Sequence, residues 1–437
     1  MASRPQDVID AGRLTAWQLV AIAITVVLNA LDGFDAAVIS FAAPGIAAEW
    51  GVPRDVLGWV LSMELIGMAA GSILLGGMAD QIGRRATIIS SLVIMAAGMY
   101  LVTGSTSVTQ LSVWRLLTGF GIGGMLSALT AVVTEYSNAR FRNLLLAVMI
   151  IGYPLGAITG GVIARELLKG GEWRAVFEFG AYATAAAIVL AYMFIPETPA
   201  YQFARRRPGA LAKINRTLAR FGHPTLTHLD EPTPQQAQAS MFDILRPGLV
   251  RTTMLMTFAY VAHVTCYYFI LKWIPKLVVD MGFDPGAAAD VLIGAMTGNA
   301  IGGLMLGVAT QRLSLKYTTV AALCGSFVMV NIFGNSPADI RILIGLAGLM
   351  GFCMNAAGVG FYTLLARGYP THVRATGTGF VIGVGRAGAA MGPAIGGELF
   401  ATGMTLPAVC LLLATGSLMA AVAVWLLRTP DRNMVYC

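Results

Sequence analysis

The chain alternates long apolar stretches with short polar ones. Runs of roughly 20 apolar residues recur throughout, and each is long enough to cross a bilayer as a helix. Twelve such runs begin near Trp17, Val56, Ala86, Leu111, Asn143, Val176, Arg251, Ala287, Tyr317, Ile342, Ala375 and Leu406. Because a helix satisfies all of its backbone hydrogen bonds within one crossing, the pattern predicts an all-α membrane protein with twelve transmembrane helices.

Composition agrees with this interpretation. Of the 437 residues, 57% are hydrophobic and 12% are charged, whereas a soluble domain carries about a quarter charged residues. The first apolar run is too long for a cleaved signal and holds acids in its middle, so we expect it to be retained. The five cysteines show neither CxxC nor Cys/His spacing, which predicts free thiols and no metal site.

The basic residues are unevenly distributed among the predicted loops. Loops on the side of the two termini hold 20 of the 29 lysines and arginines. The opposite loops hold six, namely Arg54, Arg165, Lys169, Arg174, Lys272 and Lys276. The positive-inside rule then predicts that both termini are cytoplasmic. The net charge of +7 therefore reflects topology, and we expect no nucleic acid partner.

The longest polar segment, 197–248, divides the chain in two. It contains ARRRPGALAKINRTLARFG, which predicts a short basic amphipathic helix at the membrane surface. The following EPTPQQAQAS is typical of a flexible linker. We therefore predict an N-terminal six-helix bundle at 1–196, a cytoplasmic linker, and a C-terminal six-helix bundle with a short cytoplasmic tail at 249–437.

The two halves share motifs in the same order. RLLTG at 115–119 corresponds to RILIG at 341–345. Four glycines of the first half recur at identical spacing in the second: Gly152, Gly156, Gly160 and Gly161, then Gly388, Gly392, Gly396 and Gly397. Two pseudo-symmetric halves are typical of transporters that move around a binding site at the membrane midplane.

Four motifs resemble those of a known family. GGMADQIGRR at 76–85 and RLLTGFGIGG at 115–124 resemble two signatures of the major facilitator superfamily. GRAGAAMGPAIGG at 385–397 and NALDGFD at 29–35 resemble motifs of its aromatic acid:proton symporter branch. The resemblance covers nearly all of the chain and implies the major facilitator fold, an aromatic carboxylate as cargo and a proton gradient as driving force. The chain departs from the family at Gln81, where a basic residue is usual, and at Ser127, where a proline is usual.

The first apolar run contains two acids. Asp32 and Asp35 share one helix face, with Asn29 one turn before them. A carboxylate within a membrane span costs roughly 2.5–3.5 kcal/mol, so two of them suggest a function. Desolvation and a second nearby carboxylate favour the protonated form, which predicts a proton-coupling pair. A structural hydrogen-bonded pair is the alternative.

Two arginines lie in or at the edge of later runs, where a buried guanidinium needs an anion. We expect Arg115 to pair with the acids of the first run, as the resemblance also implies, and we retain it as a candidate substrate-binding residue. Arg386 is expected to bind the substrate carboxylate. A purely structural salt bridge is the alternative for both. Asn29, Tyr153 and Tyr267 complete the candidate substrate-binding residues, because tyrosine rings could stack on an aromatic cargo.

Asp80 and Arg84 bound the short turn between the second and third runs. We predict a cytoplasmic gate there, in which the acid faces a helix N-terminus or an arginine, with a topogenic charge cluster as the alternative. Glu135 lies near the cytoplasmic end of the fourth run, beside Arg140 and Arg142. It is predicted to act in proton coupling or gating, as the resemblance implies, and a surface ion pair is the alternative.

Two further ionisable residues lie inside runs. Glu64 could pair with a cation, and the sequence assigns it no role. His263 could relay protons, although a packed histidine is the more common outcome.

The leading hypothesis is proton-coupled import of an aromatic carboxylate, of the benzoate, hydroxybenzoate or lignin-derived type, across a bacterial inner membrane. Alternatives are transport of another organic anion, proton-driven export, or a transporter-like receptor; an enzyme is not expected, because no catalytic constellation is present. We expect no cofactor and a monomer surrounded by lipid.

Overall fold

The computed structural model describes residues 4–206, 208–230, 241–370 and 373–427. These residues form α-helices and one short 3₁₀ helix at Met241–Leu245. The helices are α1 (Pro5–Ala11), α2 (Ala16–Trp50), α3 (Arg54–Ile82), α4 (Arg84–Thr103), α5 (Val108–Tyr136), α6 (Arg142–Leu168), α7 (Arg174–Phe194), α8 (Pro199–Arg205), α9 (Ala210–Arg220), α10 (Val250–Asp280), α11 (Pro285–Ala309), α12 (Leu315–Gly334), α13 (Ile340–Gly368), α14 (Arg374–Ala401) and α15 (Leu406–Trp425).

The long helices agree with the hydrophobic pattern. Twelve of the described helices have at least 20 residues, and each begins within three residues of a predicted run. Eleven of them are long and apolar enough to cross a membrane. The twelfth, α14, has 28 residues, of which eight are glycine, and this lowers its apolar character. The twelve predicted runs are therefore confirmed as long helices at the predicted positions.

Two short helices, α8 and α9, follow the sixth long helix. Ile214 and Leu218 of α9 are buried against Val8 and Ile9 of α1. The predicted flexible linker at 231–240 and the predicted C-terminal tail at 428–437 lie outside the described residues.

The chain forms two compact units. Unit 1 comprises 1–36, 66–160 and 174–236, and unit 2 comprises 37–65, 161–173 and 237–437. The core of unit 1 is built mainly from α2, α4, α5 and α7, and that of unit 2 from α10 and α12–α15. Helices α2, α3 and α6 each contribute residues to both units. The division into bundles at 1–196 and 249–437 stays a prediction.

The repeated glycines lie where two helices touch. In unit 1, a Cβ on Gly156 of α6 would lie 1.7 Å from the carbonyl oxygen of Ala30 in α2. In unit 2, a Cβ on Gly392 of α14 would lie 2.3 Å from the carbonyl oxygen of Thr265 in α10. Only glycine permits such close backbone contact. The two glycine sets thus hold two equivalent helix pairs together, α2 with α6 and α10 with α14.

Candidate functional site

The acids predicted to couple protons lie on α2 within unit 1. Asp32 and Asp35 are both buried. Between them, Gly33 contacts α6 so closely that a Cβ would lie 1.9 Å from the carbonyl oxygen of Tyr153. One turn earlier, the side-chain amide of Asn29 donates to the Met149 carbonyl at 2.7 Å. The position of the acids is therefore fixed by backbone contact and a hydrogen bond to α6.

Arg115 of α5 binds Asp35 through two of its nitrogens. Nη1 donates to the Asp35 carboxylate at 3.1 Å, and Nη2 donates to the Asp35 backbone carbonyl at 3.1 Å. Both residues are buried, and the guanidinium carbon lies 5.4 Å from the centre of the Phe177 ring. The predicted pairing with an acid of the first span is confirmed. Because Arg115 is occupied by Asp35, its predicted contact with substrate gains no support.

The turn between α3 and α4 is built around Arg84. Its guanidinium pairs with Asp80 at 2.9 Å and with Glu135 of α5 at 2.9 Å. The Asp80 side chain is 78% exposed, whereas that of Glu135 is 14% exposed. Glu135, which lies near Arg140 and Arg142 in the sequence, pairs instead with Arg84, because the end of α5 lies beside the start of α4. Glu135 thus holds Arg84 in the interior, and Asp80 holds it at the surface.

Glu197 is a part of this cluster that the sequence did not indicate. It accepts a hydrogen bond from the backbone N–H of Arg84 at 2.9 Å, at the N-terminus of α4. The preceding Gly83 has φ +113°, and a Cβ there would lie 2.2 Å from Glu197 Oε2. Burial raises the pKa of Glu197 above its usual 4.5. The acid at this helix N-terminus is therefore Glu197 and not Asp80, and the positive end of the helix dipole could have suggested one.

A cluster of tyrosines lies near the second candidate arginine within unit 2. We call Tyr260, Tyr267, Tyr268 and Tyr362 the tyrosine cluster. Arg386 of α14 is half-buried, and its charge acts on the hydroxyls of Tyr260 and Tyr268. The Tyr260 and Tyr362 hydroxyls are 3.2 Å apart, and the rings of Tyr267 and Tyr268 meet edge to face at 5.1 Å. A guanidinium beside phenol rings suits a carboxylate carried on an aromatic ring.

Two asparagines extend the polar side of this cluster. The Asn299 amide of α11 donates to the Tyr267 hydroxyl at 3.0 Å. The Asn355 amide of α13 donates to the Asn299 backbone carbonyl at 2.7 Å. Tyr267 was a candidate from the sequence, whereas Asn299, Asn355 and Tyr362 carry no motif and were missed.

A second fully buried ion pair lies in unit 2. Lys272 Nζ of α10 is 2.9 Å from Glu64 Oε2 of α3, and both side chains are 0% exposed. The assignment of Lys272 to a loop is wrong, because α10 continues to Asp280 and the lysine is neutralised by Glu64. Glu64, which the sequence left without a role, thus has a defined partner.

Comparison with known proteins identifies the family to which this architecture belongs. The family model described as Major Facilitator Superfamily matches residues 25–298 and 256–435. The chain belongs to this superfamily. The major facilitator fold predicted from the sequence is confirmed, and the chain is a multi-pass membrane transporter and not an enzyme.

Several transporters resemble this facilitator over nearly their whole length. The gallate transporter of Pseudomonas putida is 29% identical over 96% of the chain and 94% of its own length. The 4-hydroxybenzoate transporter PcaK of Pseudomonas putida is 29% identical over 93% and 91%. The benzoate transport protein of Acinetobacter baylyi is 25% identical over 98% and 93%.

A solved structure shares the fold of this facilitator. The crystal structure of a D-xylose-proton symporter has a TM-score of 0.73 and 16% identity, covering 95% of the chain and 99% of the symporter. At this level of identity, the likeness establishes the fold alone.

The remaining candidates of the facilitator have local partners. His263 bonds to the Ser417 hydroxyl at 3.1 Å and to the Met354 carbonyl at 3.1 Å, as a packed histidine does. Tyr153 lies half-buried in α6. Cys266, Cys324, Cys353 and Cys410 are free thiols, as expected, and Cys437 lies outside the described residues. Among the described residues, no group of His, Cys, Asp and Glu could hold a metal ion.

Proposed function

We propose that this facilitator is a proton-coupled symporter that imports an aromatic carboxylate by alternating access. The observation that carries the proposal is the buried group of Asp32, Asp35 and Arg115. Two buried acids beside one buried arginine within a membrane span are suited to bind and release protons. The cargo class is supported by relatives named for gallate, 4-hydroxybenzoate and benzoate transport.

Asp32 is the proposed proton carrier. Arg115 stabilises the ionised form of Asp35, because an opposite charge within hydrogen-bond distance favours ionisation. Asp32 is buried three residues earlier on the same helix, where desolvation and the fixed carboxylate of Asp35 both favour proton uptake. Glu135 pairs with Arg84 at the end of α5, and its side chain is 14% exposed. It is the proposed group through which the proton leaves on the side of the termini.

Arg386 and the tyrosine cluster form the proposed substrate site. The guanidinium would bind the carboxylate through two parallel hydrogen bonds, and the phenol rings would contact the aromatic ring. The hydrogen-bonded pair Tyr267 and Asn299 supplies polar groups that can meet ring hydroxyls. Asn29 and Arg115 bind Met149 and Asp35 within unit 1, and they stay candidates for substrate binding from the sequence alone.

Alternating access requires a gate on each side of the site. Asp80, Arg84 and Glu135 are the proposed cytoplasmic gate, given the predicted cytoplasmic position of both termini. In a bacterium, import would then run across the inner membrane, with lipid around a monomeric carrier and the proton gradient as the driving force.

Uptake in proteoliposomes tests the proposal. Benzoate, 4-hydroxybenzoate and gallate, each radiolabelled, should accumulate when the outside is acidic relative to the lumen, and a protonophore should abolish accumulation. Transport of other organic anions with no uptake of these three would favour the wider cargo class. Accumulation driven only by an acidic lumen would favour a proton-driven exporter, and uptake indifferent to the gradient would overturn proton coupling.

A further inference from the structure

The buried pair of Glu64 and Lys272 has no part in the mechanism described so far. The two residues join α3 to α10 within unit 2, and both side chains are fully buried. Desolvating two charges costs several kcal/mol for each ion, and an ion pair is weak evidence for stability as such. A pair kept at this cost therefore calls for a function.

The pair is the inner of two ionic contacts between the same helices. At the start of α3, Arg54 lies 2.9 Å from Asp280, with side chains 43% and 24% exposed. Asp280 also pairs with Lys276. Lys272, Lys276 and Asp280 are spaced four apart and so share one face of α10. The charged face of α10 thus runs from the partly exposed pair of Asp280 with Arg54 to the buried pair of Lys272 with Glu64.

Between the two ionic contacts, α3 also touches α14. A Cβ on Gly58 would lie 2.6 Å from the carbonyl oxygen of Pro393 and 3.1 Å from the Cα of Gly397. Within unit 2, this end of α3 is therefore held against α14 by backbone contact and against α10 by charge. It lies on the side of the membrane opposite to the start of α2, which is the outside in the predicted orientation.

The inner pair borders the proposed substrate site. Tyr268 of the tyrosine cluster precedes Lys272 by one helical turn on the same face of α10, and its ring centre lies 5.1 Å from that of Tyr267. The ionisable groups that interact with Glu64 include Lys272 and Tyr268, and Arg386 also acts on Tyr268. A carboxylate that enters the tyrosine cluster along this face of α10 would meet Lys272 one helical turn away.

We propose that Glu64 and Lys272 form an outer latch that the transported carboxylate and proton open together. This inference rests on the proposed function. Separating the pair alone would leave two buried charges without their partner. If the substrate carboxylate takes the place of Glu64 on Lys272, and a proton neutralises Glu64, no net charge is left behind. Opening the pair thus requires the binding of one carboxylate and one proton, which are the two species that the symporter carries.

The rate at which a buried thiol becomes accessible measures the opening of this latch. Ser62 is buried on α3 between Gly58 and Glu64, and serine to cysteine is nearly isosteric. The parent protein would carry Ser62→Cys with the five native cysteines replaced by alanine, in lipid nanodiscs, where both membrane faces are open to reagent. A hydrophilic maleimide would be added with and without benzoate, 4-hydroxybenzoate or gallate, whichever the parent binds in calorimetry, or with its amide.

The latch predicts a defined pattern of labelling rates. Glu64→Gln, which mimics the protonated acid, should label about tenfold faster than the parent without any ligand, within the usual range for coupled states. The carboxylate should accelerate labelling of the parent, increasingly at low pH, whereas its amide should not. In Lys272→Met the carboxylate should lose this effect. Asp280→Asn, which breaks the exposed outer pair, is the matched control and should retain the response to the carboxylate.

Other results separate the two proposals. If calorimetry finds binding but Lys272→Met responds to the carboxylate as the parent does, the latch is wrong while the proposed function stands. If Glu64→Gln labels at the parental rate, the pair is not a latch, whatever the ligand. In a third outcome, Glu64→Gln labels faster but none of the three aromatic carboxylates binds the parent. The ion pair then closes the transporter, but the proposed function is wrong, and so is the replacement of Glu64 by a substrate carboxylate.

Discussion

The contact between Arg115 and Asp35 gives a prediction whose size follows from the structure. In Arg115→Gln, Asp35 keeps a buried charge without this arginine, and such a loss costs about 3–5 kcal/mol. In Asp35→Asn, Arg115 retains its bond to the backbone carbonyl at 3.1 Å. We therefore expect Asp35→Asn to be the milder single change.

The double variant Arg115→Gln with Asp35→Asn distinguishes an ion pair from two unrelated losses. Independent losses would add, so the double variant would then lose more than the about 3–5 kcal/mol of Arg115→Gln alone. Because the double variant leaves neither charge of the pair behind, we expect it to lose less than either single variant, and under about 3 kcal/mol. The free energy of unfolding can be measured by SDS titration in mixed micelles, followed by tryptophan fluorescence.

The exposed pair of Arg54 and Asp280 provides the control. Its two members are partly solvated, so the same cycle should give a coupling of at most about 1 kcal/mol. Additive losses at Arg115 and Asp35, within about 0.5 kcal/mol, would refute the reasoning that the two charges stabilise each other.

Four further outcomes are expected. Asp32→Asn should abolish concentrative uptake at equal membrane abundance, while counterflow exchange of labelled substrate continues; normal accumulation would contradict its role as proton carrier. Arg386→Lys should retain part of the calorimetric affinity for the aromatic carboxylate and Arg386→Ala should lose about ten- to a hundredfold, since a charge-assisted bond contributes about 1.5–3 kcal/mol; unchanged affinity would make the arginine structural. Asp80→Asn should lower the maximal uptake rate with KM nearly unchanged, and the reverse pattern would place the residue at the substrate. Glu197 has a folded-state pKa above 4.5, so the stability that its protonated form contributes should be full below that pH and decline as pH rises. The melting temperature of wild type relative to Glu197→Gln should therefore fall as pH rises from about 4.5, and a rise would contradict the effect of burial.

The sequence predicts the helices and the Arg115 contact for definite physical reasons. Apolar runs of membrane-spanning length leave little choice of structure, because backbone groups in lipid must bond within the helix. A buried arginine must find an acid, and the first span offers Asp32 and Asp35. The structure places Asp35 against Arg115, and this contact depends on the rotation of α2, which the apolar pattern does not determine.

The sequence could not predict the other buried contacts. Glu64 and Lys272 are 208 positions apart and have no common motif. The lysine lies near the end of an apolar run, where a long basic side chain usually extends to the membrane surface. Glu197 follows a span and resembles any loop acid until the positive φ of Gly83 brings the start of α4 onto it. Such contacts depend on how helices pack, which periodicity does not determine.

The close backbone contact between α2 and α6 has a consequence for mutational scanning. Gly33 and Gly156 have no ionisable group, yet each allows one helix backbone to rest on the other beside the acids. A methyl group at either position would push α2 away from α6 and displace Asp32 and Asp35 without changing any charge. Alanine at these glycines should therefore inactivate uptake as completely as the loss of an acid. A mutational survey scored by activity alone would wrongly assign these glycines a direct role in proton coupling.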